Sequence, residues 1–255
     1  MARAAVSGRL IWRVATVKEL KNETLTARTL TLDVPGWPGH VPGQHVAVKL
    51  TAADGYSAQR DYSVASAAEP GRFDITVQRL ADGEVSPYLA EIAQTGDQFE
   101  VRGPIGGWFA WPADDPRPLL LLAGGSGIVP LMSMIRTHAQ ASSHVPVRLI
   151  YSARTPADVI YASELSERSR VSPLTVSYLY TRPGWAAKGI APAADAKSYT
   201  SRLNAPILAE TAFPPDWNPI TFICGPSGFV EAASALLVAA GHPAFTIKTE
   251  RFGPS

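Results

Sequence analysis

The pattern of apolar positions changes character near the middle of the chain. In the first half, short segments rich in Val, Thr, Leu, Ile, Phe and Tyr are separated by turn dipeptides, among them Pro35-Gly36, Asp54-Gly55 and Pro70-Gly71. Short strands with regular turn signals are typical of a small barrel or a sandwich. We predict strands over residues 13–18, 24–34, 45–50, 61–65, 73–80 and 99–102. A short helix is predicted over 86–93, with Ser86 as its N-cap and Pro87 at its first position.

In the second half, buried strands alternate with helical segments. Apolar runs predict strands over residues 119–123, 147–152, 175–180, 221–224 and 244–249. Helical spacing predicts helices from Pro130 onward and over residues 159–168, 204–211 and 229–240. This alternation predicts a parallel sheet with helices on both faces.

Two segments fall outside this pattern. The proline-rich segment 111–118 is interpreted as a linker, so we place two domains at 1–112 and 117–255. Residues 184–200 are polar, rich in Ala and Gly and without period, and we interpret them as a surface insertion.

A glycine-rich turn stands between the first buried strand and the first helix of the second half. Gly124, Gly125 and Gly127 follow the strand, and Pro130 fits the first turn of the helix. Glycines let the backbone approach a ligand, and a helix N-terminus offers unpaired N–H groups, so a phosphate could bind here. An ordinary strand–turn–helix link without a ligand is the alternative, since the spacing is not the G-x-G-x-x-G fingerprint.

Other candidate residues lie where strands are predicted to end or begin. Ligands of parallel sheets bind beyond the carboxyl ends of the strands, which here are followed by Ser152 to Arg154, Thr181-Arg182 and Cys224 to Pro226. In the first half, alternation places Arg60 and Tyr62 on the same face of a strand. Arginine can pair with phosphate and tyrosine can lie against a planar heterocycle, although a surface arginine beside a half-buried tyrosine is equally consistent with this pattern.

Composition and charge exclude several function classes. The chain of 255 residues is 46% hydrophobic and 18% charged, with a formal net charge of +1, which favours neither nucleic acid nor an acidic membrane as a partner. Its single cysteine, Cys224, excludes a cluster held by four cysteines of this chain. The five histidines show no metal-ligand spacing, so no metal site is predicted. No apolar run is long enough for a membrane span, and a cytoplasmic location is expected.

Three motifs together resemble those of the ferredoxin–NADP reductase superfamily of flavoproteins. Its R-x-Y-S, G-G-x-G-[IV]-[TV]-P and C-G-P motifs match residues 60–63, 124–130 and 224–226, in the family order. The resemblance implies an N-terminal antiparallel six-stranded β-barrel that binds FAD, followed by an α/β parallel-sheet domain that binds a nicotinamide nucleotide.

The same resemblance implies the FAD-binding residues. Arg60 is expected to pair with the pyrophosphate, Tyr62 to stack on the isoalloxazine, and Ser63 to hydrogen-bond near flavin N5. A second family segment, where backbone N–H groups and a serine hold the pyrophosphate, matches Gly83, Val85 and Ser86. Residues on the strand before it are expected to lie beside the FAD, namely Gln78 and Arg79.

The resemblance also implies the residues around the nicotinamide. Cys224 is expected near nicotinamide C4, although a free cysteine is often only a small buried hydrophobe. Glu250 and Phe252 match the family's Glu-x-Tyr, with the ring retained and the hydroxyl lost, although Glu250 could also be a surface carboxylate after the last strand. With Ser63 these three form the predicted catalytic set. The nucleotide is expected against Gly124, Gly125, Gly127, Ile128, Val129, Pro130, Ser152, Gly225 and Pro226.

Arginines after the strands favour NADPH over NADH. A 2′-phosphate needs cations or hydroxyls, whereas a 2′-hydroxyl usually meets a carboxylate. Arg154 and Arg182 match two arginines of NADP-dependent bacterial members. Arg202 matches a third if the 184–200 segment is an insertion, with Ser201 in place of the family's glycine.

The resemblance implies electron transfer from NAD(P)H through FAD to an acceptor. Because one cysteine cannot hold a [2Fe–2S] cluster, the acceptor is expected to be separate, such as a ferredoxin or an oxygenase-type redox protein, and the chain is predicted to be a monomer. A stand-alone flavin, quinone or metal reductase is an alternative. A non-catalytic flavin- or nucleotide-sensing subunit and a flavin-free nucleotide-binding protein are others.

Overall fold

The first half of the chain forms a closed antiparallel barrel. The computed structural model describes residues 10–171, 173–182 and 196–252. The sheet has the order β4-β3-β6-β1-β2-β5, and an isolated bridge from Val64 to Ile75 joins its two edges. The predicted antiparallel six-stranded fold is confirmed. The strands are β1 (Trp12–Asn22), β2 (Ala27–Asp33), β3 (His45–Thr51), β4 (Ser57–Ser63), β5 (Arg72–Gln78) and β6 (Gln98–Ile105).

Two local predictions in the barrel are wrong. β4 begins at Ser57 rather than at residue 61, because its first residues are polar and face solvent, and so give no apolar alternation. The short helix is a π-helix over Tyr88–Ile92, and Ser86 does not cap it. The Ser86 hydroxyl instead accepts a hydrogen bond from the Leu80 backbone N–H at 3.1 Å, which ties the helix start to the end of β5.

The second half forms a parallel sheet of order β10-β9-β8-β7-β11-β12, as predicted. Alternate residues of β7 point to opposite faces of the sheet, each of which has its own hydrophobic core. Leu121 packs with α1 and α2 on one face, and Leu122 packs with α3 and α4 on the other. The strands are β7 (Leu119–Gly124), β8 (Val147–Ala153), β9 (Leu174–Tyr180), β10 (Lys197–Tyr199), β11 (Ile220–Pro226) and β12 (Ile247–Phe252). The helices are α1 (Ile128–Gln140), α2 (Ala162–Val171), α3 (Ala205–Thr211) and α4 (Ser227–Ala239).

The last strand lies further along the chain than predicted. A 3₁₀ turn over Ala244–Thr246 precedes β12, which runs through Glu250 to Phe252. The predicted strand ends at residue 249, because the apolar pattern ends at Ile247 and does not indicate that the strand continues through residues 250–252. The segment 184–200 contains β10, and its residues 184–195 lie outside the described part of the chain.

The sheet order creates a switch point between β7 and β11. From β7 the chain proceeds outward to β8, β9 and β10, and it then returns to β11 and β12 on the other side. In open α/β sheets, ligands bind in the crevice at such a point, beyond the carboxyl ends of the strands. Here those ends are Gly124 and the segment 224–226.

Polar contacts hold the two domains together beside this crevice. Arg136 of α1 donates to the Ala65 carbonyl at 2.9 Å, and it also ion-pairs with Asp74 of β5 at 3.5 Å. The buried Tyr161 hydroxyl donates to Thr76 Oγ1 of the barrel. These contacts fix the relative position of the sheets, so side chains from both domains can form one site. In the ranges described above, no helix combines the length and the apolar character needed to cross a membrane.

Candidate functional site

A cleft of about 810 Å³ lies between the domains at the switch point. Both domains contribute to its walls, as expected for a site that joins two ligands. From the barrel it is lined by Arg60, Asp61, Tyr62, Ser63, Thr76, Gln78, Leu80, Gly83, Glu84, Val85 and Ser86. From the α/β domain it is lined by Gly124, Gly125, Ser126, Val129, Ser152, Ala153, Arg154, Asp158, Thr181, Pro226, Phe229, Arg251 and Phe252.

The glycines of the turn after β7 have two different roles. Gly125 has φ +55°, and no atom lies within 4 Å of the position its Cβ would take, so its backbone is open to the cleft. A Cβ on Gly127 would lie 2.1 Å from the Cys224 carbonyl oxygen, so Gly127 is required for the contact with β11. Ile128 and Pro130 are buried in the core rather than in the cleft wall.

On the barrel side, Ser63 is the buried cleft-lining residue whose hydroxyl lacks a partner in the described part of the chain, whereas Thr76 and Ser86 have partners. The Ser63 side chain is almost fully buried. A buried hydroxyl without a partner is costly, and a polar ligand atom in the cleft would satisfy it. Burial raises the pKa of the neighbouring Tyr62 to about 12, so its phenol stays neutral. The two residues therefore offer a neutral ring and a free hydroxyl.

Arg60 is already paired with a carboxylate. Its Nη2 lies 2.7 Å from Glu84 Oε2, and the Tyr56 hydroxyl donates to Glu84 Oε1 at 2.6 Å. The hydrogen bond from Tyr56, followed by that from Arg60, lowers the pKa of Glu84, which therefore stays ionised. A phosphate that binds Arg60 through Nη2 competes with Glu84 for this group. Sequence reasoning missed Tyr56 and Glu84, because their pairing depends on where two loops meet.

The remaining predicted FAD residues divide into two groups. Gln78, Gly83, Val85 and Ser86 line the cleft. Arg79 does not line it, and its guanidinium ion-pairs with Glu91 at 3.0 Å. Alternation along the chain explains the difference, since consecutive extended residues point to opposite sides.

Cys224 and Glu250 lie side by side on β11 and β12. Burial, followed by the Glu250 charge, raises the pKa of the Cys224 thiol well above its usual range, so the thiol stays protonated. Burial also raises the pKa of Glu250 to about 7. Its Oε2 is buried and has no partner within the described chain. On the barrel side, His45 Nδ1 lies 4.0 Å from Glu250 Oε1.

The three arginines predicted to favour NADPH are not equivalent. Arg154 lines the cleft, and its side chain is exposed. The backbone N–H of Arg182 donates to the Arg154 carbonyl at 3.0 Å, and this hydrogen bond joins the ends of β8 and β9. Arg202 does not line the cleft. Asp158, which sequence reasoning did not assign to the site, lines it and accepts a hydrogen bond from the Thr155 hydroxyl at 2.6 Å.

These residues fit the cofactors that the sequence suggested. The free Ser63 hydroxyl and the neutral Tyr62 ring suit a flavin, and the open Gly125 backbone suits a phosphate. The fit rests on these groups rather than on the motif alone.

Comparisons with known proteins agree with this assignment. Residues 3–109 match the oxidoreductase FAD-binding domain, and residues 121–235 match the oxidoreductase NAD-binding domain. The FAD- and NAD-binding domains predicted from the motifs are thereby confirmed.

Relatives include reductase components of oxygenase systems. The reductase subunit of glycine betaine monooxygenase from Chromohalobacter salexigens is 33% identical over 83% of this chain and 56% of its own length. The ferredoxin reductase component of 3-ketosteroid-9-alpha-monooxygenase from Mycobacterium tuberculosis is 30% identical over 92% of this chain and 64% of its own length. The chain thus spans about three fifths of the length of these relatives.

Solved structures share the fold. The FAD/NAD-binding domain of nitric oxide dioxygenase from Vibrio cholerae gives a TM-score of 0.82 at 24% identity, covering 95% of this chain and 99% of that one. A ferredoxin NADP⁺ reductase from Neisseria gonorrhoeae, with FAD and NADP bound, gives 0.75 at 21% identity, covering 96% and 99%. With its matching domains, motif order and fold, the chain belongs to the ferredoxin–NADP reductase superfamily of two-domain flavoprotein oxidoreductases.

Proposed function

We propose that this chain is an NADPH-dependent flavoprotein reductase that passes electrons through FAD to a separate redox protein of an oxygenase system. The observation that carries the proposal is one interdomain cleft lined by Tyr62 and Ser63 of the barrel and by Arg154 and Phe252 of the α/β domain. A protein that only senses flavin needs no such set of groups where the two ligands meet.

FAD in this cleft supplies the electron-transfer chemistry, because a flavin accepts two electrons from a nicotinamide and releases them singly or in pairs. Ser63 supplies a hydrogen bond to the flavin from the barrel side, and Tyr62 supports its ring. Phe252 forms the part of the cleft wall at which the nicotinamide would enter. The Cys224 thiol is buried and protonated, so it places no charge near the site, and the protein's main contribution is to hold two planar rings in contact.

The nucleotide preference rests on Arg154 at the cleft wall. Its exposed guanidinium can form a bidentate pair with a 2′-phosphate, which NADH lacks. Arg182, held beside it by the backbone contact, adds a second cation at the same strand ends.

The acceptor is inferred from the relatives. Two of them are named as reductase components of monooxygenases, and such components deliver electrons to other proteins. We therefore infer that this chain passes electrons to a one-electron protein acceptor of the ferredoxin or oxygenase type. The predicted monomeric state and cytoplasmic location stay predictions.

The test begins with the visible spectrum of the purified chain loaded with FAD. NADPH is added without oxygen, and bleaching of the flavin bands is followed over time. We expect bleaching that is faster with NADPH than with NADH, and slower in the Ser63→Ala variant with FAD still bound. A flavin spectrum that stays oxidised with both nucleotides contradicts the proposal and favours a sensing subunit.

The acceptor is then tested on the reduced protein. A [2Fe–2S] ferredoxin is compared with free flavin, a quinone and a ferric complex as oxidants. Faster reoxidation by the ferredoxin supports a reductase component. Faster reoxidation by the small molecules identifies a stand-alone reductase instead.

A further inference from the structure

His45 connects the two halves of the proposed site. It lies directly opposite Ser63 in the antiparallel pair of β3 and β4, so their side chains point to the same face. Its Nδ1 lies 4.0 Å from Glu250 Oε1 on β12 of the other domain. Glu250 in turn is the register partner of Cys224. One imidazole therefore lies between the barrel hydroxyl and the carboxyl of the α/β domain.

The pair is shielded from solvent. The side chains of His45 and Glu250 are only 23% and 22% exposed. Gly106 also lies against the imidazole, since an added Cβ there would lie 3.4 Å from His45 Nδ1. Glu250 Oε2 has no partner within the described chain, so His45 is the nearest basic group recorded for this carboxyl.

We propose that His45 is a positioning residue, which pairs with Glu250 across the domain interface and thereby sets the position and charge of that carboxyl next to the cleft-lining residues Arg251 and Phe252. The proposal rests on the proposed function, because it assigns a role in the nicotinamide-dependent step to a residue behind the cleft wall.

His45 and Glu250 lie close enough for the charge of one to affect the other. Burial lowers the pKa of His45, and the Asp61 charge on β4 raises it. On the facing elements the titratable groups are Glu250 on β12 and the protonated Cys224 on β11. Burial raises the pKa of the Glu250 carboxyl to about 7. Two groups this close titrate as a pair, so removal of either one changes the titration of the other.

The test compares the parent chain with His45→Asn, Glu250→Gln and the double variant. Asn keeps a polar group near the Nδ1 position but does not titrate, and His45→Gln serves as a second replacement if the first fails to fold. His144→Asn, in the loop after α1, is the matched control. The first readout is NMR of the His45 imidazole in the FAD-loaded full chain across the neutral pH range. The second is the pH profile of flavin reduction by NADPH.

We expect the His45 signal to titrate at lower pH in Glu250→Gln, because the imidazolium loses its anionic neighbour, while the His144 signal is unchanged. His45→Asn should move the pH profile of reduction to higher pH, because Glu250 loses a cationic partner. Each single variant should slow reduction about tenfold, and the double variant should be no slower than the slower single variant.

An unchanged His45 titration in Glu250→Gln overturns the pairing. So does a double variant whose slowing equals the product of the single effects, since that indicates independent roles. If the parent flavin is not reduced by either nucleotide, the proposed function fails, whereas the NMR titration still decides whether the two side chains pair.

Discussion

Burial of the Glu250 carboxyl makes the stability of this protein depend on pH in an unusual direction. Its pKa rises from 4.5 to about 7 because it is buried, and its Oε2 has no partner in the described residues. Between these two values the folded chain binds more protons than the unfolded chain. Stability therefore falls as the pH rises through this window, the opposite of the behaviour of a salt-bridged carboxylate. Glu250→Gln, which cannot ionise, removes this dependence.

The magnitude follows from the two pKa values. One pKa unit corresponds to about 1.4 kcal/mol, and the linkage integrated from about pH 5 to pH 8 gives about 2.5 kcal/mol for a shift from 4.5 to about 7. The free energy of unfolding of Glu250→Gln, relative to the parent, should therefore increase by about 2.5 kcal/mol over this range. Gln is nearly isosteric with Glu, so little of the change should come from packing.

Urea unfolding followed by far-UV circular dichroism, at a fixed FAD concentration and several pH values, measures this difference. Glu167→Gln is the matched control, because Glu167 is exposed on α2. Its profile should run parallel to that of the parent. Parallel profiles for Glu250→Gln and the parent would show that the carboxyl is ionised in the folded protein without cost, and the account of its burial would be refuted.

The remaining predictions concern cofactor binding and packing. Arg60→Ala should weaken FAD binding about 10- to 100-fold in a fluorescence titration, since a charge-assisted contact contributes about 1.5–3 kcal/mol. Unchanged affinity would show that Arg60 does not contact the pyrophosphate. Glu84→Gln should strengthen FAD binding, because it releases Arg60 from its ion pair, and weaker binding would contradict that competition. Arg154→Ala should raise the KM for NADPH but not for NADH, so equal increases would refute the 2′-phosphate assignment. Gly127→Ala should destabilise the chain by at least about 1–3 kcal/mol, since its Cβ would overlap β11, whereas Gly107→Ala, which meets nothing within 4 Å, should not.

The sequence predicts most of the architecture because its signals are local. Turn dipeptides divide the barrel strands, and the apolar runs of β7 and β11 are buried in the α/β domain. The error at β12 has the same origin, because residues 250–252 are partly or fully exposed and no alternating apolar pattern marks them as a strand. A strand that is marked only by its pairing with a neighbouring strand cannot be predicted from the local pattern of apolar residues.

The missed residues of the site depend on contacts between distant segments. His45 acquires its position from the register of β3 with β4 and from the approach of β12, which belongs to the other domain. The pairing of Glu84 with Arg60 joins residues 24 positions apart. Composition predicts neither the contact of His45 with Glu250 nor the pairing of Glu84 with Arg60, because a lone histidine and a lone glutamate are common surface residues.

The glycine motif shows how packing and binding combine in one segment. The sequence suggested that its glycines together admit a phosphate, yet only Gly125 faces open space. Gly124 and Gly127 instead allow close packing, since a Cβ at Gly124 would lie 2.8 Å from Phe229 and one at Gly127 would lie 2.1 Å from the Cys224 carbonyl oxygen. The absence of a side chain at Gly127 thus lets the Cys224 backbone of β11 approach the turn. Gly125 leaves the nucleotide site open and Gly127 positions β11 with its thiol, so a side chain at Gly127 should disturb the proposed hydride-transfer site even where phosphate binding survives.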